Sequence, residues 1–304
     1  MQKKVHQYVS VACSVATFKD ILLELITHCT AKLLSDRCRE WLLEDEVLNN
    51  GIIGSLDLLV EESSVYSPPY WFATVEELGK VVGVAMHTKP DGMVMTALPK
   101  EILQEVFNSV DQVVGPPHRI YGPMAAAEWL SGKWVASRKL RRELQMVWNV
   151  YVLDASHPPE RDAAGFLRVS TDDDAEFAER WGRAYGDEKP APVDVSQFML
   201  RKLRRKELFF WDNEGPTTLL TLSGFTEKGV RISAVYTPVE HRGKGYGSAA
   251  VASMCRQLFG EGKTYVTLTA IKGDPVERMY QRLGFDKIGA RACYILVPLL
   301  HEMQ

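Results

Sequence analysis

The chain has 304 residues, of which 46% are hydrophobic and 25% charged, with a formal net charge of −3. That length suits two domains of about 150 residues each, and the composition is that of an ordinary globular protein. A slightly negative chain is not expected to bind nucleic acid through bulk electrostatics, and no run approaches the roughly 18 apolar residues that a membrane span requires.

Cys13, Cys29, Cys38, Cys255 and Cys293 form no CxxC pair and no even framework. Reduced thiols in a cytoplasmic compartment are therefore expected, and no structural zinc or other metal. The start of the chain has two lysines and a short apolar stretch broken by His6, Gln7 and Ser10, so a secretion signal is not expected.

Residues 18–43 carry Ile21, Leu22, Leu25, Ile26, Leu33, Leu34, Trp41 and Leu42 at helical spacing, which predicts one or two amphipathic helices. From Trp71 the period shortens. Three β-rich runs, separated by turns at 77–79 and 90–92, predict a meander. Pro99 opens a helix, as proline does at a first turn. A brief strand at 119–121, an Ala-rich helix from Met124 and a strand at 145–153 follow. The proline-rich, aperiodic segment 157–162 is the candidate linker.

After it the plan restarts, with a strand at 166–169, helices at 175–185 and 194–206, and strands at 207–211, 217–225 and 230–237. A glycine-rich elbow leads into a helix ending at Phe259. A strand at 265–270, a helix at 275–283 and a strand at 292–299 complete the chain. Both halves thus read helix, meander, helix, strand, helix, strand, which places a first domain at 1–160 and a second at 161–304. Only the second half has the glycine elbow. The basic runs at 138–142 and 201–206 are read as solvated faces, since no aromatic residues interleave for base stacking.

The elbow is Arg242-Gly243-Lys244-Gly245-Tyr246-Gly247, placed directly after a strand and before a helix. Without Cβ atoms its backbone can approach an anion, and the unpaired N–H groups and helix dipole favour negative charge. Downstream, Tyr280-Gln281-Arg282-Leu283-Gly284-Phe285 places an aromatic residue on a short helix ahead of a Gly-Phe turn.

These two motifs, in this order, resemble the acyl-CoA signatures of the GCN5-related N-acetyltransferase (GNAT) superfamily. The longer run from Val235 to Gly247 is similar to a two-part subfamily in which a degenerate half precedes a working one. The resemblance implies an α/β fold (α+β by stricter naming) of tandem GNAT-like halves, with mostly antiparallel sheets flanked by helices. It also implies acetyl-CoA as acyl donor. Gly243, Gly245, Gly247 and Ser248 would hold its pyrophosphate, helped by Arg242, Lys244 and Tyr246. Val235, Tyr236 and Thr237 would line the pantetheine, and Tyr280 would protonate the departing thiolate. Where the family commonly has Asn, the chain has Asp274, which is carried over as a coenzyme A contact and reads equally as a helix cap. Where some members place a glutamate base, it has Arg231. Glu227, Glu240, His241 and an ordered water are left as substitutes.

The expected activity is transfer of an acetyl group to a primary amine, small or peptidic, by direct attack in a ternary complex. The expected cleft lies between the halves or against the meander at 71–95. Two alternatives stay open: a CoA-binding sensor without turnover, and an amino-acid N-acyltransferase of the glycine-conjugating type using a longer acyl-CoA.

Overall fold

The computed structural model describes residues 23–190 and 192–299, and its frame is one mixed sheet of twelve strands. The first strand departs from expectation. β1 (Leu23–Thr27) occupies part of the segment that periodicity assigns to helix, and α1 (Ala31–Glu44) takes only the remainder. Residues 18–22 of that segment lie outside the described residues. Leu23 and Leu25 pack on the first-half core, and all of β1 pairs antiparallel with β2 (Ser67–Glu77). A waiting strand edge and an apolar face outrank local propensity here.

Thr30 caps α1 by accepting the Leu33 N–H at 3.2 Å. α2 (Glu46–Glu61) is a helix the periodicity did not reveal, because Asn49, Asn50, Gly51 and Gly54 dilute its signal. Burial of Ile52, Ile53, Leu56 and Leu59 holds it instead.

β3 (Lys80–Lys89), β4 (Gly92–Met95), α3 (Leu103–Val113), β5 (Arg119–Gly122), α4 (Met124–Ser137) and β6 (Leu140–Asp154) complete the first half of the chain. The second half repeats the order. It runs through β7 (Phe166–Val169), α5 (Ala175–Asp187), α6 (Ser196–Arg204), β8 (Leu208–Asp212), β9 (Pro216–Ser223) and β10 (Gly229–Tyr236). It ends with α7 (Tyr246–Gly260), β11 (Tyr265–Ile271), α8 (Val276–Arg282) and β12 (Asp286–Pro298). The tandem α/β architecture is therefore borne out, with β1 and α2 as the elements the sequence did not reveal.

Strand order across the sheet is β1-β2-β3-β4-β5-β12-β6-β11-β10-β9-β8-β7. Replacing each strand by its counterpart in the other half reverses the list, so a pseudo-two-fold axis runs between β12 and β6. Parallel pairing occurs at β4/β5 and at β10/β11, the same place in each half. The last strand of each half has crossed over. β6 pairs with β11 along 148–154, β12 pairs with β5 along 119–122, and the two crossed strands pair with each other.

Each half buries side chains on both faces of the sheet. In the first half, Trp134 has 0% exposure and its Nε1–H donates to Asp111 at 3.0 Å. Trp134→Ala is expected to cost about 3–5 kcal/mol through the cavity it leaves. Urea denaturation followed by circular dichroism reads this as a lowered midpoint with an unchanged slope.

Candidate functional site

β10 sets the geometry. Its parallel pairing to β11 runs from Gly229 to Ile232 and then stops, although both strands continue to Tyr236 and Ile271. On its other side, the register with β9 shifts between Ile232 and Val235. This bulge turns the strand away from β11. The backbone groups of 233–236 on that side thus face an open wedge, with Val235 and Tyr236 on its wall and Thr237 at its end. Thr237 Oγ1 shares a hydrogen bond with Thr218 Oγ1 at 2.7 Å. The Tyr236 ring is buried, and burial followed by the nearby Glu188 carboxylate pushes its phenol above the usual range.

Beyond Pro238 the chain enters the elbow. Gly243 and Gly245 have φ of 76° and 84°, and a Cβ at either would meet nothing within 4 Å, so the positive φ is what requires glycine. Ala249 N–H is the amide that donates back to Gly245 O, at 3.0 Å, so the amides from Gly243 to Ser248 precede the first helical bond. Ser248 Oγ donates to Gly245 O at 2.8 Å. Tyr246 Oη accepts from Asn213 Nδ2 at 2.9 Å, and its ring meets His241 edge-on. The result is a row of amides at the start of α7.

The two cations of the elbow differ in availability. Arg242 grips Glu188 at 2.6 and 2.7 Å, and its Nε–H donates to Thr237 O at 2.8 Å. That guanidinium braces the elbow against the end of α5. Lys244 is exposed and makes no ion pair among the described residues.

Tyr280 lies on α8 with 5% exposure, its ring 6.3 Å from Tyr151 and 5.9 Å from Phe285. Burial pushes its phenol well above the usual range, with smaller contributions from Tyr185, Asp274 and Cys255, so it stays protonated at neutral pH. Asp274 behaves as the cap: its Oδ1 accepts the Val276 N–H at 2.9 Å.

Several residues here were missed by the sequence reading. Glu277 accepts Tyr151 Oη–H at 2.7 Å, Gly273 N–H at 2.7 Å and an Asn149 amide N–H. Burial alone would raise the Glu277 carboxyl; these donors outweigh it and hold it low. Burial, then Glu277, pushes the Tyr151 phenol up to about 12. Asn149 and Tyr151 belong to β6, so the first half of the chain anchors the helix that carries Tyr280. Pairing partners 128 and 126 residues apart leave no local trace in sequence.

On the other face of the sheet, a cleft of about 980 Å³ opens between α2 and α6, with Arg231 and Ser233 of β10 at its floor. Its lining is drawn from both halves of the chain. Glu227, Glu240 and His241 do not line it; Asp91 and His118 of the first half do. The solvated-face reading of 201–206 needs correction at its start. Arg201 lines the cleft, and Lys202, 8% exposed, pairs with Glu207 at 2.5 Å.

At the equivalent place in the first half there is no elbow. Thr96 N–H bonds back to Val84 O at 2.9 Å, and the position a Cβ would take on Gly122 is 2.5 Å from Met95 Cγ. The Met95 side chain thus packs directly against the β5 backbone at Gly122. Among the described residues, no helix is long and apolar enough to cross a membrane.

Residues 218–295, running from β9 into β12, match the family model described as FR47-like protein. No curated protein matches the chain. Among solved structures, a Drosophila protein aligns with a TM-score of 0.64 at 10% identity, over 91% of this chain and 98% of that one. A tandem GNAT protein from the clavulanic acid biosynthesis pathway aligns with 0.53 at 14% identity, over 91% and 98%. A GNAT-family acetyltransferase from Colwellia psychrerythraea aligns with 0.55 at 11% identity, over 90% and 99%. At such identities the likeness is one of fold. The chain has the tandem GNAT fold, and its second half contains the FR47-like segment.

Proposed function

We propose that the protein is an acyl-CoA-dependent N-acyltransferase, moving an acetyl group from acetyl-CoA to a primary amine within a ternary complex. The observation that supports this most is the meeting of three features: the β10/β11 wedge, the row of amides ending at Ser248, and a buried, protonated Tyr280.

In this reading, the amides from Gly243 to Ser248 and the α7 dipole hold the pyrophosphate. Lys244 supplies the mobile cation, while Arg242 contributes through its backbone because Glu188 occupies its side chain. Pantetheine lies along Val235, Tyr236 and Thr237 as an added strand. A β10 amide in the wedge polarises the thioester carbonyl and stabilises the oxyanion. The amine nitrogen attacks the carbonyl carbon and loses its extra proton to solvent or a cleft group. The carbon–sulfur bond then breaks, and the thiolate takes the Tyr280 proton. Asp274 caps α8 and has no assigned contact with coenzyme A.

Thiol release from acetyl-CoA across a panel of amines tests the reading. Gly245→Val forces a β-branched residue to φ near 84° and puts its side chain where the phosphates would pass. Acetyl-CoA binding is expected to weaken by roughly tenfold or more with the far-UV spectrum unchanged. Binding without release on any amine would leave a sensor in place of an enzyme.

A further inference from the structure

The cleft between α2 and α6 holds most of its charges in pairs. Arg39 is bound to Asp57, Lys202 to Glu207 and Arg205 to Glu61, while Asp194 faces Arg183 at 3.8 Å. Among the described residues, Arg119, Arg201 and Arg231 make no ion pair, and Asp91 is the lining carboxylate without one. Desolvation and the neighbouring Arg119 charge push the His118 imidazole below its usual range, so it adds no charge at neutral pH. Among the unpaired lining groups, three guanidiniums face one carboxylate, an excess of two positive charges.

These guanidiniums are also short of hydrogen-bond acceptors. Arg119 Nε is buried with no partner, and Arg231 Nε–H donates to the Ser223 hydroxyl at 3.1 Å. Arg201 lies against the Phe198 ring. Partly buried cations without acceptors are unfavourable until an anion supplies them. The planar guanidinium fork suits a carboxylate or phosphate. Arg231 and Ser233 sit on β10 at the point where pairing to β11 ends, so the floor of the cleft adjoins the wedge.

We infer that the acceptor is an amine carrying two negative charges, bound in this cleft with its anionic groups on Arg231, Arg119 and Arg201. A dicarboxylic amino acid or a phosphate-bearing amine supplies that chemistry. The inference rests on the acyltransferase reading above for the fate of the amine, and on the cleft alone for its charge. Glycine, with one anionic group, leaves a guanidinium uncompensated, and a polyamine is repelled.

Two measurements on the full chain separate these layers. Calorimetric titration of the CoA-loaded protein compares glutamate, aspartate, O-phosphoethanolamine, glycine and putrescine, and thiol release from acetyl-CoA is followed with the same amines. At least one dianionic amine is expected to bind roughly tenfold or more tighter than glycine, and putrescine not at all. Whether the dicarboxylates or the phosphoamine lead identifies the source. Arg119→Gln and Arg231→Gln are each expected to weaken dianion binding by roughly tenfold or more, with the acetyl-CoA KM unchanged and partial rescue by Arg119→Lys. Arg201→Gln, at the cleft wall, is the substitute if Arg231→Gln does not fold. Glycine or putrescine binding as tightly as every dianion would overturn the inference. So would folded Gln variants that keep full dianion affinity. Dianion binding without turnover of any amine would uphold the cleft assignment and remove the acyltransferase reading; turnover of putrescine alone would do the reverse.

Discussion

Residues 161–304 produced alone are expected not to fold, and to recover a native-like sheet when produced together with residues 23–160. Without β6, the seven-residue strand β11 becomes a bare edge, and Tyr151 and Leu153 leave the core beneath α7 and α8. Burial of two such side chains is worth roughly 1.5–3 kcal/mol each, against a typical net stability of about 5–15 kcal/mol. The thirteen-residue strand β12 would lose β6 and β5 together, its partners on both sides. An exposed strand of that length invites aggregation. Size-exclusion chromatography and circular dichroism of the single segment and of the pair distinguish the outcomes. A monomeric 161–304 that unfolds cooperatively would show that the crossed strands are dispensable.

Tyr280→Phe is expected to lower kcat by roughly 10²–10⁴ while leaving the acetyl-CoA KM nearly unchanged. The ring contacts with Tyr151 and Phe285 survive the substitution; the proton source does not. A thioester whose thiol leaves readily as an anion should shrink the loss, since such a leaving group needs no proton. Steady-state kinetics with acetyl-CoA and with an activated aryl thioacetate make the comparison. An equal loss with both donors would assign Tyr280 to positioning, and no loss with either would hand the proton to water.

The parts of the site that could be read in sequence are those carried by consecutive residues. The elbow from Arg242 to Gly247 and the Tyr280 helix each sit within one turn of chain, where glycine φ, caps and spacing are local matters. The tandem repetition was legible for the same reason, as an order of local elements. What escaped has remote causes. Leu23–Thr27 is a strand because β2 offers an edge, and α2 is a helix because its apolar side is buried. Arg242 is committed to Glu188, 54 residues away, so its motif position and its side chain part company. Arg119, Arg201 and Arg231 come from β5, α6 and β10, and nothing in sequence marks them as neighbours. The exchange of β6 and β12 leaves each strand's own pattern intact, so it too is invisible until pairing is known.

That exchange also dictates an order of events during synthesis. The strand that completes the first half's sheet is the one that ends at Pro298. While the ribosome works through the roughly 160 codons between Gly122 and Asp286, at about 5–20 residues per second, the β5 edge of the nascent first half waits uncovered for several seconds or longer. Chaperone demand should therefore concentrate on that interval, and a translational pause between β6 and β12 should lower soluble yield more than the same pause before β6.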